Sequence, residues 1–202
     1  MKLYFSPASP YVRKVMASAL HLGLAGGIEK LPSAASPVNR DMTIATANPM
    51  GKVPTAILND GTVLADSRTI CEWLALQGND PAYLPPPGPA RWAVLGQHAL
   101  ADGLLDAALL ARYETAMRPE AMRWPDWLAG QMGKIDAAIA RMETTADALD
   151  GPVTLGSMTT GCALGYLDFR FAHHDWRAAA PRLAAWWARF GETGPMALTR
   201  PA

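Results

Sequence analysis

The chain has 202 residues, with 18 Lys plus Arg against 18 Asp plus Glu, so its formal net charge is zero. Half of its residues are hydrophobic, which excludes a disordered chain and supplies a core for one large domain or two smaller ones. The charge balance removes the basic surface that non-specific nucleic-acid binding needs. Apolar runs such as residues 107–111 fall far short of the roughly 20 residues that span a bilayer, so no membrane segment is expected. The start, Met1-Lys-Leu-Tyr-Phe, gives way to Ser6-Pro7 without a signal-peptide core. A cytoplasmic location is therefore expected. Cys71 and Cys162 form neither a CxxC pair nor a zinc pattern and read as buried thiols.

In chain order, residues 2–5 are short and β-prone. Val12, Val15, Met16, Ala19 and Leu22 recur at helical spacing, and Gly23 provides a stop. Residues 27–31 predict a second strand, and residues 40–47 a short helix or irregular turn. Residues 54–58 and 62–65 flank Asn59-Asp60-Gly61, where an Asp-Gly step favours the positive φ angles of a hairpin turn. A helix follows from Ser67, with Ile70, Trp73 and Leu74 on one face. The order is β-α-β-α-β-β-α over residues 1–79. Pro81, Pro85, Pro86, Pro87 and Pro89 then predict an extended linker over residues 80–89, because proline lacks a backbone donor and disfavours helix before it.

Only helical patterns follow, over residues 90–202. One helix is expected from Ala90 to about Met117, and a second from Pro125 to about Thr145. A third opens at Thr154-Leu-Gly-Ser157 and carries Leu164, Leu167 and Phe171 on one stripe. A fourth starts at Pro181 and carries Leu183, Trp186, Trp187 and Phe190. Trp73, Trp92, Trp186 and Trp187 are expected to pack. The fold class is a small α/β domain followed by an all-α domain.

Three places carry chemistry. Ser9-Pro10 joins the first strand to the first helix. Ser9 reads either as a helix cap alone or as a hydroxyl beside free backbone N–H groups that stabilise an anion. Asn48-Pro-Met-Gly-Lys-Val-Pro54 precedes the hairpin. A proline entering a strand needs an edge or an unusual geometry such as a cis bond, and the resulting kink exposes the Val53 N–H and C=O to an extended ligand. Asp66-Ser67 reads as a second cap, or as an ammonium and carboxylate pair site for an α-amino acid head group. His173-His174 lacks acidic or cysteine partners at ligand spacing, so no metal is expected; His98 reads as a surface or core histidine.

Ser9-Pro-Tyr-Val-Arg13, Asn48-Pro-Met-Gly-Lys-Val-Pro54 and Leu64-Ala-Asp-Ser67, in this order and ahead of a proline linker, resemble the cytosolic glutathione transferases. The likeness is greatest to bacterial members with a serine at the end of the first strand, and residues 161–170 also look like that group. The resemblance implies a thioredoxin-like N-terminal domain, a helical C-terminal domain and a two-fold homodimer. It implies glutathione as co-substrate, no metal, and attack by the glutathione thiolate on a hydrophobic electrophile, as in detoxification. Position by position, it gives Ser9 to the sulfur, Val53 and a cis Pro54 to the cysteinyl unit, Asp66 and Ser67 to the γ-glutamyl end, and Lys52, with Arg40 more weakly, to the glycine carboxylate. Tyr11, Tyr113 and Met117 line an apolar pocket on this reading, or serve the core. The absence of Cys at residues 8–10 argues against thiol–disulfide exchange. Thr154-Leu-Gly-Ser157 stands where the family usually shows Ser/Thr-x-x-Asp, a loss of dipole-favourable charge worth about 0.5–1 kcal/mol in folding. The alternative is a non-catalytic binding or regulatory protein of the same fold.

Overall fold

The computed structural model describes residues 1–201. They divide into two units: residues 1–86 with the C-terminal segment from Gly194, and Pro87–Thr193. The first unit runs β1 (Lys2–Tyr4), α1 (Pro10–His21), β2 (Glu29–Leu31), α2 (Met42–Ala47), β3 (Thr55–Ile57), β4 (Val63–Leu64) and α3 (Ser67–Gln77). The sheet order is β2-β1-β3-β4. β1 pairs parallel with β2, and antiparallel with β3, which pairs antiparallel with β4. This is a thioredoxin-like arrangement. Leu3 and Ala56 are fully buried in neighbouring strands, and Val15 and Ala19 of α1 join Ile70 and Leu74 of α3 in the core. In α3 the buried residues Ser67, Ile70, Cys71 and Leu74 follow helical spacing, whereas α1 is buried on every side from Val12 to Ala19.

The hairpin differs from expectation in its turn. The Leu58 N–H donates to Thr62 O at 2.8 Å and the Gly61 N–H to Leu58 O at 3.1 Å. Gly61 takes φ 87°, and no non-glycine residue has positive φ among the described residues. Asp60 instead uses its carboxylate to accept from the Thr62 N–H at 2.9 Å. Residues 59–61 therefore form a three-residue loop in which glycine alone supplies the left-handed position.

The proline-rich stretch is not extended throughout. Asp80 Oδ1 accepts from the N–H groups of Ala82 (3.0 Å) and Tyr83 (3.3 Å), and Asp80 Oδ2 lies 3.0 Å from His21 Nε2. Tyr83 is fully buried and donates its hydroxyl hydrogen to Ser18 of α1. An aspartate-closed turn and the burial of one aromatic ring hold this half of the stretch against α1.

The second unit contains α4 (Pro89–Ala116), α5 (Pro125–Thr144), α6 (Leu155–Arg170), α7 (Trp176–Ala179) and α8 (Pro181–Phe190). Every residue from Leu155 to Leu167 is buried, so α6 is the central helix, with α4 packed along it. It begins with a capping box. The Ser157 N–H donates to Thr154 Oγ1 at 3.1 Å and the Thr154 N–H to Ser157 Oγ at 2.8 Å, so each side chain accepts from the other's backbone and serine fills the place of the usual acidic residue. Near its end, Asp168 accepts from Trp176 Nε1 (3.1 Å), Trp187 Nε1 (2.8 Å) and both Arg177 Nη atoms (2.8 Å each). Burial pushes the Asp168 carboxyl up, but the bonds from Arg177, Trp187 and Trp176 together hold it below the ordinary aspartate value.

Trp186 and Trp187 are buried, whereas Trp92 is 68% exposed. The buried positions of α4 include Val94, His98, Ala101 and Leu105. Trp92 lies two residues before Val94, about 200° round the helix, and so faces away from that stripe. The short helix α7 escaped the periodicity reading because four residues are barely one turn. A last helix, α9 (Gly194–Leu198), belongs with the first unit. Buried Arg13 of α1 donates from Nη2 to Met196 O at 3.0 Å and from Nε to Thr199 Oγ1 at 3.4 Å. Among the described residues no helix is long and apolar enough to cross a membrane.

Candidate functional site

Sheet register brings the three chemistry-bearing segments to one end of the first unit. Tyr4 at the end of β1 pairs with Thr55 at the start of β3, and Ala56 pairs with Leu64 at the end of β4. Ser9 follows β1, Val53 precedes β3 and Asp66 follows β4, so all three leave the sheet at the same edge.

Ser9 is the N-cap of α1, with extended backbone, and Pro10 occupies the first helical position. Its Oγ accepts from the Val12 N–H at 3.3 Å. A hydroxyl has one hydrogen to donate besides its lone pairs, so capping leaves the Ser9 O–H available to an anion. The cap and the anion-donor readings are therefore compatible in one side chain.

The loop before β3 is organised by Asn48 and Thr55. Asn48 Nδ2 donates to Thr55 Oγ1 at 2.9 Å, Thr55 Oγ1 donates to Lys52 O at 2.7 Å, and Asn48 Oδ1 accepts from the Met50 N–H at 3.0 Å. Both organising side chains are buried. Gly51 takes φ 60°, and a Cβ there would come within 3.2 Å of Arg40 Cγ. Val53–Pro54 is cis. No hydrogen bond to the Val53 backbone exists among the described residues, which leaves its N–H and C=O open to an extended partner. Lys52 is exposed, while Arg40 donates to Pro49 O and braces the loop. Sequence reasoning missed Asn48 and Thr55 as the residues that hold this loop. The Asn-Pro step, a common turn opener, was the signal.

Asp66 is the N-cap of α3 and its Oδ1 accepts from the Arg68 N–H at 2.9 Å. Its Oδ2 has no partner among the described residues, and the side chain is exposed. Ser67, the first residue of α3, is buried. The Ala65–Asp66 peptide is also cis. An open carboxylate oxygen beside a helix N-terminus offers a cation acceptor and anion donors within one turn.

Tyr11 sits in the first turn of α1, half-buried, while Tyr113 and Met117 lie at the far end of α4 in the other unit. Burial pushes the Tyr113 hydroxyl up. Arg13 is committed to the C-terminal segment and His98 is buried, 2.8 Å from Thr159 Oγ1 through Nδ1. His174 Nε2 does find an acidic neighbour, 2.9 Å from Asp136 Oδ1. No group of three or more His, Cys, Asp or Glu is arranged to hold a metal among the described residues.

Comparison with known proteins covers both units. Residues 8–77 match the family described as glutathione S-transferase, N-terminal domain, and residues 125–189 match glutathione S-transferase, C-terminal domain. A glutathione transferase family member from Pseudomonas fluorescens Pf-5, solved with bound glutathione, is 40% identical to this chain. That match covers 100% of this chain and 98% of the other, with a TM-score of 0.97. A Pf-5 family member solved with bound S-(propanoic acid)-glutathione is also 40% identical, with a TM-score of 0.93 over 100% of both chains. The uncharacterized GST-like protein YibF of Escherichia coli K12 is 35% identical over 189 residues, which are 91% of this chain and 90% of that protein.

Proposed function

The chain belongs to the glutathione S-transferase family, and we propose that it is a serine-type transferase that binds glutathione and activates its thiol for attack on a hydrophobic electrophile. The observation that carries this reading is the convergence of Ser9, Val53 and Asp66-Ser67 at one edge of the sheet, each with hydrogen-bonding capacity left open. A γ-glutamyl α-amino group suits Asp66 Oδ2, its carboxylate suits Ser67 and the α3 N-terminus, and the cysteinyl backbone suits Val53. The sulfur then falls to Ser9, and Lys52 serves the glycine carboxylate. Relatives solved with bound glutathione and with a carboxyethyl-type substituent on the glutathione sulfur support both the ligand and a site that accommodates groups added there.

The chemistry is a matter of thiolate population. A free thiol titrates near about 8.5, so little thiolate exists at neutral pH. Lowering that value by about two units takes about 2.7 kcal/mol of preferential stabilisation. A hydroxyl hydrogen bond from Ser9 and the N-terminal dipole of α1 supply energies of that order. The thiolate attacks the electrophilic carbon, the C–S bond forms, and the leaving group departs with its electron pair. Tyr11, in the first turn of α1 beside Ser9, is assigned to the electrophile. The same reading makes the protein cytoplasmic and a homodimer, which light scattering would register as twice the 21.6 kDa chain mass.

Glutathione titration by calorimetry, followed by turnover of activated aryl halides, isothiocyanates and hydroperoxides, tests the proposal. Saturable binding with turnover of at least one class is expected. Binding without turnover would make the chain a non-catalytic glutathione-binding module, and no binding would remove the reading altogether.

A further inference from the structure

α1, the helix that Ser9 caps, has α9 (Gly194–Leu198) packed against it within the first unit, and Met196 of α9 is fully buried. Five residues are far below the length at which a helix holds itself, because nucleation costs more than one turn returns. What holds this one is Arg13. Its Nη2 donates to Met196 O at 3.0 Å, a carbonyl in the last turn of α9, where intrahelical donors run out. Its Nε donates to Thr199 Oγ1 at 3.4 Å, and Thr199 Oγ1 in turn donates to Pro195 O at 2.7 Å. A guanidinium as buried as that of Arg13 needs fixed acceptors, and the C-terminal segment supplies two.

The same residue is tied to Ser9. The Arg13 N–H donates to Ser9 O at 3.0 Å and closes the first turn of α1. The Ser9 cap bond from the Val12 N–H is long, 3.3 Å, and on its own sets the direction of the hydroxyl only loosely. Arg13 thus has its main chain on the residue that presents the hydroxyl and its side chain on a segment 183 residues away. Docking of α9 restricts how far that turn tilts or unwinds. Such outer supports matter because a shift of about 1 Å in a site costs up to about a hundredfold in rate.

We propose that the C-terminal segment is a positioning element of the thiol site: α9 and Thr199, acting through Arg13, fix the first turn of α1 and so the direction in which Ser9 offers its hydroxyl hydrogen. Arg13, Met196 and Thr199 are positioning residues that act through Ser9 and not on the sulfur. That the hydroxyl serves a thiolate rests on the transferase reading; the clamp on α1 does not.

Met196→Ala and Thr199→Val test the inference from outside α1, so whatever changes in that helix has been transmitted to it. In the ligand-free protein, hydrogen exchange of the Val12 and Arg13 amides, both bonded to Ser9, should quicken at least about fivefold, while Ile70 and Leu74 of α3 change less than about twofold. In the glutathione complex the thiolate midpoint should rise by about 0.3 unit in Thr199→Val, about a halving of thiolate below the midpoint, and by more in Met196→Ala. Thr199→Ser keeps the hydroxyl and should restore both readouts. Neither change should move the midpoint further in a Ser9→Ala background, because the route runs through Ser9. Quickening shared equally by α1 and α3, a midpoint unchanged in both variants, or a shift that persists in Ser9→Ala would each overturn the proposal. Thr199→Val keeps nearly the parent shape, so the test stands if Met196→Ala folds poorly. If the parent binds no glutathione, the transferase reading fails and exchange alone decides the clamp. Selective quickening of Val12 and Arg13 then upholds it, and uniform quickening or none overturns it.

Discussion

Asp66 and Asp168 are both aspartates at helix ends, yet they are placed in opposite ways. Asp66 is exposed and spends one oxygen on a backbone N–H of its own helix. Asp168 is half-buried, and Arg177, Trp176 and Trp187 occupy both of its oxygens. The same contrast runs through the two units. At the sheet edge of the first unit, Ser9, Val53 and Asp66 hold hydrogen-bonding capacity in reserve. In the helical unit, Glu143 accepts from the Arg182 and Leu183 N–H groups and the Arg182 side chain, and Trp186 donates to Leu149 O. Saturated groups report on stability, and groups left open report on a ligand.

The largest effect expected from this contrast is in the helical unit. Asp168→Ala should cost about 3 kcal/mol of stability by urea unfolding, because two indole N–H groups and a guanidinium lose their common acceptor. Glutathione affinity, measured well below the transition, should change by less than about twofold, well under 1 kcal/mol. The folded-state carboxyl lies below its unfolded value of about 3.9, so its contribution is complete above that pH. It is lost as pH falls through the lower folded value. The gap between parent and variant should therefore narrow on acidification below about pH 4; a gap that stays constant would show that packing, not charge, sets the effect.

The second effect is the reverse. Asp66→Ala should raise the glutathione Kd at least about tenfold, or 1.4 kcal/mol. Loss of the α3 cap should cost about 1 kcal/mol or less of stability. Calorimetry showing unchanged affinity would remove Asp66 from the site and erase the contrast.

A smaller effect belongs to Ser157. Ser157→Ala removes the side-chain acceptor for the Thr154 N–H and should cost about 1 kcal/mol with no change in glutathione affinity. An affinity change would mean that the α6 cap serves the ligand site as well as folding.

What could be read beforehand follows from how local each cause is. Ser9 and Asp66 are caps, decided by residue type within three positions; Ser9 stands where the sequence puts it, and of the two residues the sequence offers for the second cap, Asp66 and Ser67, the structure uses Asp66. The buried stripe of α3 follows from periodicity, whereas α1 and α6 are buried on all sides over most of their length, which periodicity does not foretell. In the sequence Tyr83 reads as linker because five prolines dominate its neighbourhood, whereas its place is set by Ser18, 65 residues earlier. The return of α9 to α1 depends on Arg13 and Met196, 183 residues apart, and a five-residue helix gives no periodic signal of its own. Asn48 and Thr55 were visible as an Asn-Pro turn and a strand start, but their mutual bond is a tertiary fact.

The central claim is that Ser9 gives its spare hydroxyl hydrogen to the glutathione sulfur while it caps α1. The most direct measurement is the thiolate absorbance of the glutathione complex against pH, for the parent and Ser9→Ala, well below the melting temperature. The account predicts that the midpoint rises in the variant by about half a unit or more, near 0.7 kcal/mol, and that turnover at neutral pH falls with it. A variant that melts earlier by the loss of the cap, yet titrates and turns over like the parent, would contradict the claim and leave the thiolate to the backbone N–H groups of α1.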